Sequence, residues 1–154
     1  MIDSPAARFG SYGGPVRVNT DRLRGDLELV SGFGATGEPG GVSRTSFSPA
    51  DRRVRAWLAE QADRWGLAIR TDGIGNLFLR LPGGGDGVPV WAGSHLDSVP
   101  TGGVFDGALG SLAALEVARR LVEERVSLRR PVEVVVCSYG PGESQWFVAR
   151  FRRQ

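Results

Sequence analysis

Two apolar runs, 88–93 and 132–136, flank a stretch from 106 to 126 whose apolar residues recur every three to four positions. No other feature constrains the chain as much. Short Val-rich runs of this kind fit strands buried on both faces. The periodicity between them turns Leu109, Leu112, Ala113, Val117, Ala118 and Leu121 toward one side of a helix. A strand, a long helix and a second strand close as a βαβ unit, with parallel strands and a right-handed crossover. The fold class expected is therefore α/β. In open α/β sheets ligands collect at the carboxyl ends of the strands, and here that end is the linker 94–105.

Upstream elements are signalled locally. Residues 1–18 mix Gly, Pro, Ser and charges without periodicity and read as a loose terminus. Asn19 or Thr20 can cap a helix carrying Leu23, Leu27 and Val30 on one face, and Gly32 and Gly34 end it. Ser48, Pro49 and Asp51 combine a cap, a first-turn proline and a first-turn acid. The helix they open buries Val54, Trp57, Leu58, Ala62 and Trp65, and Gly66 closes it in a left-handed conformation. Runs 67–71 and 77–81, separated by Asp72-Gly73-Ile74-Gly75-Asn76, fit a β-hairpin. The glycine-rich loop 82–87 precedes no helix start, so it reads as a plain connection rather than a phosphate cradle.

Composition narrows the function classes. The 41% hydrophobic and 23% charged content is ordinary for a globular chain. No apolar run approaches the roughly 20 residues of a membrane span and no signal-peptide pattern opens the chain, so a cytoplasmic protein with no membrane partner is expected. Cys137 is the only cysteine, which excludes an intrachain disulfide and a Cys-rich zinc site. The pI is near 9.3, but a net charge of +2 with interleaved acids fits a solvated mixed surface, and no nucleic-acid partner is expected. A serine-hydrolase reading lacks the G-x-S-x-G elbow that the single histidine would serve.

That histidine, His95, lies in the linker with Asp97 and Asp106, among glycines 102, 103 and 107 that permit close approach. Imidazole nitrogen with carboxylate oxygen is a ligand set for zinc or a related metal, with Asp97 placed to orient the ring. Asp106 could coordinate or bridge. The spacing also admits a second reading, in which His95 is a satisfied loop histidine and Asp106 caps the following helix.

The run from Gly93 to Gly110, GSHLDSVPTGGVFDGALG, with Ala113 to Val117 after it, resembles the first metal-binding signature of the zinc-dependent aminoacylase and carboxypeptidase-like hydrolases. It is most similar to the N-carbamoyl-L-amino-acid hydrolase and allantoate amidohydrolase branch. GGVSRTSFSPAD, ending at Asp51, and DGIGNLF, from Asp72 to Phe78, resemble that branch too. The resemblance implies a three-layer α/β/α catalytic domain with a mixed sheet, occupied in part by residues 19–136. It implies that His95 binds one metal, that Asp106 bridges two, and that Asp97 supports His95. The cofactor implied is a pair of divalent ions, Zn or Mn, Co or Ni. They polarise a carbonyl and lower the pKa of a bound water while a glutamate acts as general base. The substrate implied is a small N-carbamoyl or N-acyl amino acid or allantoate, cleaved at a C–N bond, and intact members are expected to be homodimers.

After the strand at 132–136 the resemblance calls for Glu-Glu-Gly, whereas the chain reads Cys137-Ser-Tyr-Gly-Pro-Gly-Glu143. The general base is then absent, and residues 137–154 form an aberrant tail. A frameshift or early stop would explain this, and translating the DNA beyond the Val136 codon in the other frames should reveal Glu-Glu-Gly. The expectation is a truncated amidohydrolase, inactive as it stands and prone to aggregate through an open sheet edge. The alternative is a non-catalytic α/β module that docks a partner through that edge and Arg150, Arg152 and Arg153.

Overall fold

The computed structural model describes residues 15–37, 41–85 and 87–138. In chain order these form α1 (Thr20–Ser31), β1 (Gly41–Val42), α2 (Pro49–Arg64), β2 (Ala68–Thr71), β3 (Leu77–Leu81), β4 (Val90–His95), β5 (Gly102–Gly103), α3 (Ala108–Glu123) and β6 (Val132–Cys137). Among the described residues no helix is long and apolar enough to cross a membrane.

Local signals place the first two helices. The Asn19 side chain accepts the Arg22 N–H at 3.0 Å, satisfying one of the donors that a helix start leaves open. Ser48 Oγ accepts the Asp51 N–H at 3.2 Å, and Pro49 occupies the first turn, where its missing N–H costs nothing. Val54, Leu58 and Ala62 are fully buried, Trp57 and Trp65 pack beside them, and Gly66 has a φ of +65°. β2 and β3 form the expected antiparallel hairpin, with the Asp72 carboxylate accepting the Ile74 and Asn76 N–H groups in its turn.

β6 runs antiparallel to β3 and parallel to β4, so the four-stranded sheet, ordered β2-β3-β6-β4, is mixed. Alternation sends Leu77, Leu79, Val134 and Val136 to one face, where they meet Val30, Val54, Leu58, Leu112 and Leu115 from the helices. The described helices all pack on that face. The crossover from β4 through α3 to β6 is the βαβ unit read from the sequence, and its carboxyl end carries His95.

Three features differ from the sequence reading. β4 begins and ends two residues later than expected, and Val90 to Gly93 are exposed, because only β6 pairs with it among the described residues. α3 is shorter, and its buried stripe is rotated: Ala108, Ser111, Leu112, Leu115, Glu116, Ala118 and Arg119 face inward, while Leu109 and Val117 are 46% and 41% exposed. An unpaired buried charge is costly, so Glu116 and Arg119 read as surface residues until their distant partners are known. Glu116 accepts from Arg22 Nε at 2.7 Å and from the Asn19 N–H at 2.9 Å, while Arg119 binds Asp26 and, at 2.8 Å, the Gln61 side chain. The third is the short antiparallel pair of β1 with β5, which ties the linker after His95 to the segment before α2.

The α1–α3 contact includes Glu123, whose carboxyl the Arg22 guanidinium pulls down to about 2 from an ordinary 4.5. A depressed carboxylate contributes stability above its unfolded pKa and loses it as pH falls toward the folded value. Glu123→Gln is therefore expected to flatten the acid limb of a melting-temperature profile between those two values. A mutant with the wild-type acid limb would show that this pair contributes nothing.

Candidate metal centre

β4 ends on His95, and the next residues turn back beneath its ring. His95 Nδ1 lies 2.9 Å from the main-chain oxygen of Asp97 and 3.4 Å from Asp97 Oδ1. An oxygen of either kind only accepts, so Nδ1 carries the proton and, in the neutral ring, Nε2 carries the lone pair. Nε2 in turn faces Asp106 Oδ1 at 3.8 Å. The two ligands of a tetrahedral ion with bonds of about 2.1 Å stand about 3.4 Å apart, so this gap is within a few tenths of an ångström of one that an ion bridges. Hydrogen bonding to the Asp97 carboxylate raises the His95 pKa above its ordinary 6.5 against the opposing effect of burial.

Asp106 is not the cap of α3. Gly107 holds that position with a φ of +67° and makes no side-chain cap bond, and only the main-chain oxygen of Asp106 takes the Ala108 N–H, at 2.7 Å. The Asp106 carboxylate is 61% exposed beside the imidazole edge. Of the two readings left open by spacing, the helix-cap one does not describe this aspartate.

Asp97 is 3% exposed and accepts a hydrogen bond from Ser46 Oγ. Behind the turn lies Arg44, itself 2% exposed. Its Nε donates to Leu96 O at 2.5 Å, and its Nη1 donates to Val30 O and Phe33 O at 2.8 and 2.7 Å. Its backbone clasps Ser98: the Arg44 N–H reaches Ser98 Oγ at 2.9 Å and the Ser98 N–H reaches Arg44 O at 2.8 Å. Burial lowers the Arg44 pKa, and the charges of Asp51 and Asp97 work against that shift. The Leu96 side chain is fully buried in the core. The turn bearing His95 and Asp97 is thus held from two sides.

Sequence reasoning did not find Arg44 or Ser46. All nineteen basic residues are arginine, so identity alone did not distinguish this one from its solvated neighbours.

Among the described residues no group of three or more His, Cys, Asp and Glu side chains could hold a metal. Cys137 lies opposite His95 in the parallel register. Burial, helped by the charges of Asp72 and Asp97, raises its thiol pKa. Glu143, the one acid after Glu133, lies outside the described residues, as does the rest of the tail from residue 139. His95 and Asp106 bring one imidazole nitrogen and one carboxylate oxygen to the same place. That donor set fits a divalent transition metal or zinc.

Residues 76–143 match Peptidase family M28. An N-carbamoyl-L-amino-acid amidohydrolase of Rhizobium meliloti is 39% identical over 119 residues, covering 77% of this chain and 28% of that protein. A ureidoglycolate hydrolase of Oryza sativa subsp. japonica is 34% identical over 130 residues, covering 82% of this chain and 27% of that protein. Among solved structures, a hydantoinase/carbamoylase family amidase from Burkholderia multivorans superposes with a TM-score of 0.76 at 38% identity, over 79% of this chain and 29% of that one. The chain spans less than a third of the length of each of these proteins, at 28%, 27% and 29%.

Proposed function

Because this chain belongs to the metallohydrolase family of the N-carbamoyl-L-amino-acid amidohydrolases and ureidoglycolate hydrolases, we propose that His95 and Asp106 are metal ligands of a C–N bond hydrolase. Its substrates are small ureido or carbamoyl acids. The observation that carries the reading is the orientation of one ring, with Nδ1 committed to the Asp97 main chain and Nε2 facing the Asp106 carboxylate at 3.8 Å. A divalent ion bound there supplies Lewis-acid polarisation of a carbonyl and acidification of water. His95 offers it a neutral nitrogen and Asp106 an anionic oxygen. Asp97 holds the ring and its tautomer, as outer partners of metal-bound histidines generally do. Among the described residues no further group of ligands joins them, and the mixed nitrogen and oxygen set suits zinc among other divalent transition metals.

The substrate class is tested by ammonia release from N-carbamoyl amino acids, allantoate and ureidoglycolate by this chain restored to the length of its relatives, with and without a chelator. Turnover insensitive to the chelator would remove the metal from the reaction.

A pH dependence follows from the ring. Protons and metal compete for Nε2, and His95 titrates above 6.5. Zn2+ affinity is expected to be level at alkaline pH and to fall as pH drops through the raised His95 pKa, as calorimetric titrations from about pH 9 to about pH 5 would record. In Asp97→Asn the fall should begin at a lower pH. An affinity independent of pH over that range would exclude the imidazole as a ligand.

A further inference from the structure

The first turn of α3 touches the His95 segment at three points. Ser111 Oγ donates to His95 O at 3.0 Å. Gly110 faces Ser94, where an added Cβ would come within 2.9 Å of the Ser94 Cβ. Gly107 lies under the imidazole itself: a Cβ there would stand 2.5 Å from Nε2 and nearer still to Cε1 and Nδ1. Gly107 and Gly110, three apart, share one face of the helix. The ring of His95 therefore rests on bare backbone, one residue along from the carboxylate it faces.

We propose that Gly107 is a positioning residue for the metal centre, because the missing side chain is what lets the imidazole lie against the start of α3 with Nε2 toward Asp106. This rests on the reading of His95 and Asp106 as ligands. Gly107 has a second reason to be glycine, its φ of +67°, and any substitution confounds that strain with the loss of space. Gly66 separates the two effects. Its φ is +65°, and nothing lies within 4 Å of the Cβ it lacks, so Gly66→Ala places a side chain at a positive φ without touching a ring.

The test compares Gly107→Ala with Gly66→Ala in the full chain, by calorimetric titration with Zn2+ and by NMR of the metal-free protein. His95 is the only histidine, so its ring resonances need no assignment. Gly107→Ala is expected to weaken Zn2+ binding by about 10- to 100-fold, the range for partners that orient a ligand. It should also shift the ring resonances and remove their contacts to the residue 107 α-proton, while Gly66→Ala leaves both readouts as in wild type. Wild-type Zn2+ affinity in Gly107→Ala, or an equal loss in Gly66→Ala, would overturn the proposal. If the wild type itself binds no Zn2+, the ligand reading fails separately, and the metal-free spectra still decide: an undisplaced ring in Gly107→Ala overturns the positioning role and a displaced ring retains it. Should the alanine variant not fold, Gly107→Asn carries the same Cβ, and asparagine is among the residues that adopt a positive φ most readily.

Discussion

His95→Ala is expected to lower the affinity of this chain for Zn2+ by more than about 100-fold, since changes to groups that merely orient a ligand already cost 10- to 100-fold. The ring is half of the described donor set, and Asp106 alone, 61% exposed, is an ordinary surface carboxylate. The loss should not come from unfolding. His95 ends a strand, and its main-chain oxygen keeps the bond from Ser111 whatever the side chain. The ring is only 18% exposed and hydrogen-bonded to Asp97, so the metal-free melting temperature should fall somewhat, and the affinities are compared well below it. Asp97→Asn should lose less than His95→Ala, because the main-chain oxygen that takes the Nδ1 proton remains. Equilibrium dialysis or calorimetry that found His95→Ala binding Zn2+ as tightly as wild type would end the metal-ligand assignment.

The largest stability effect is expected at Arg44. Arg44→Ala strips donors from Leu96 O, Val30 O and Phe33 O and empties a site that is 2% exposed. Leaving a buried polar group unsatisfied costs about 1–3 kcal/mol, and with the void added the expected loss is about 3–5 kcal/mol, among the largest that single substitutions produce. Against a total of about 5–15 kcal/mol for a typical domain, such a change is a large fraction of the whole. Arg24, exposed on α1, is the matched control, and Arg24→Ala should stay within about 0.5 kcal/mol. Arg44→Lys should fall between them, keeping a cation but lacking the planar fork that reaches separate carbonyls. Urea midpoints at constant slope would measure all three. Equal midpoints for Arg44→Ala and Arg24→Ala would show that the guanidinium does not hold the turn.

What could be read in advance followed the range of the forces involved. The start of α2 was legible because Ser48, Pro49 and Asp51 act on their own backbone within four residues. The β2–β3 hairpin was legible because Asp72 organises its own turn. The rotation of α3 was not, because Glu116 and Arg119 lie inward only where α1 and α2 supply Arg22, Asp26 and Gln61. The pairing of β1 with β5 was not legible either: three of its four residues are glycine, which leave no alternating pattern to read.

The candidate site divides along the same line. Residue order and type alone determined that an imidazole and two carboxylates stand at a strand-to-helix junction, and they identified the family. Only the tertiary structure decided which nitrogen of the ring faces Asp97, which carboxylate oxygen the other nitrogen faces, and that Arg44 and Ser46 hold the turn beneath it. The reason is physical. A side chain's chemistry travels with its own residue, whereas its direction is set by groups that meet it only after the chain has folded, some of them more than fifty positions away, as Ser46 is from Asp97 (|i−j| of 51).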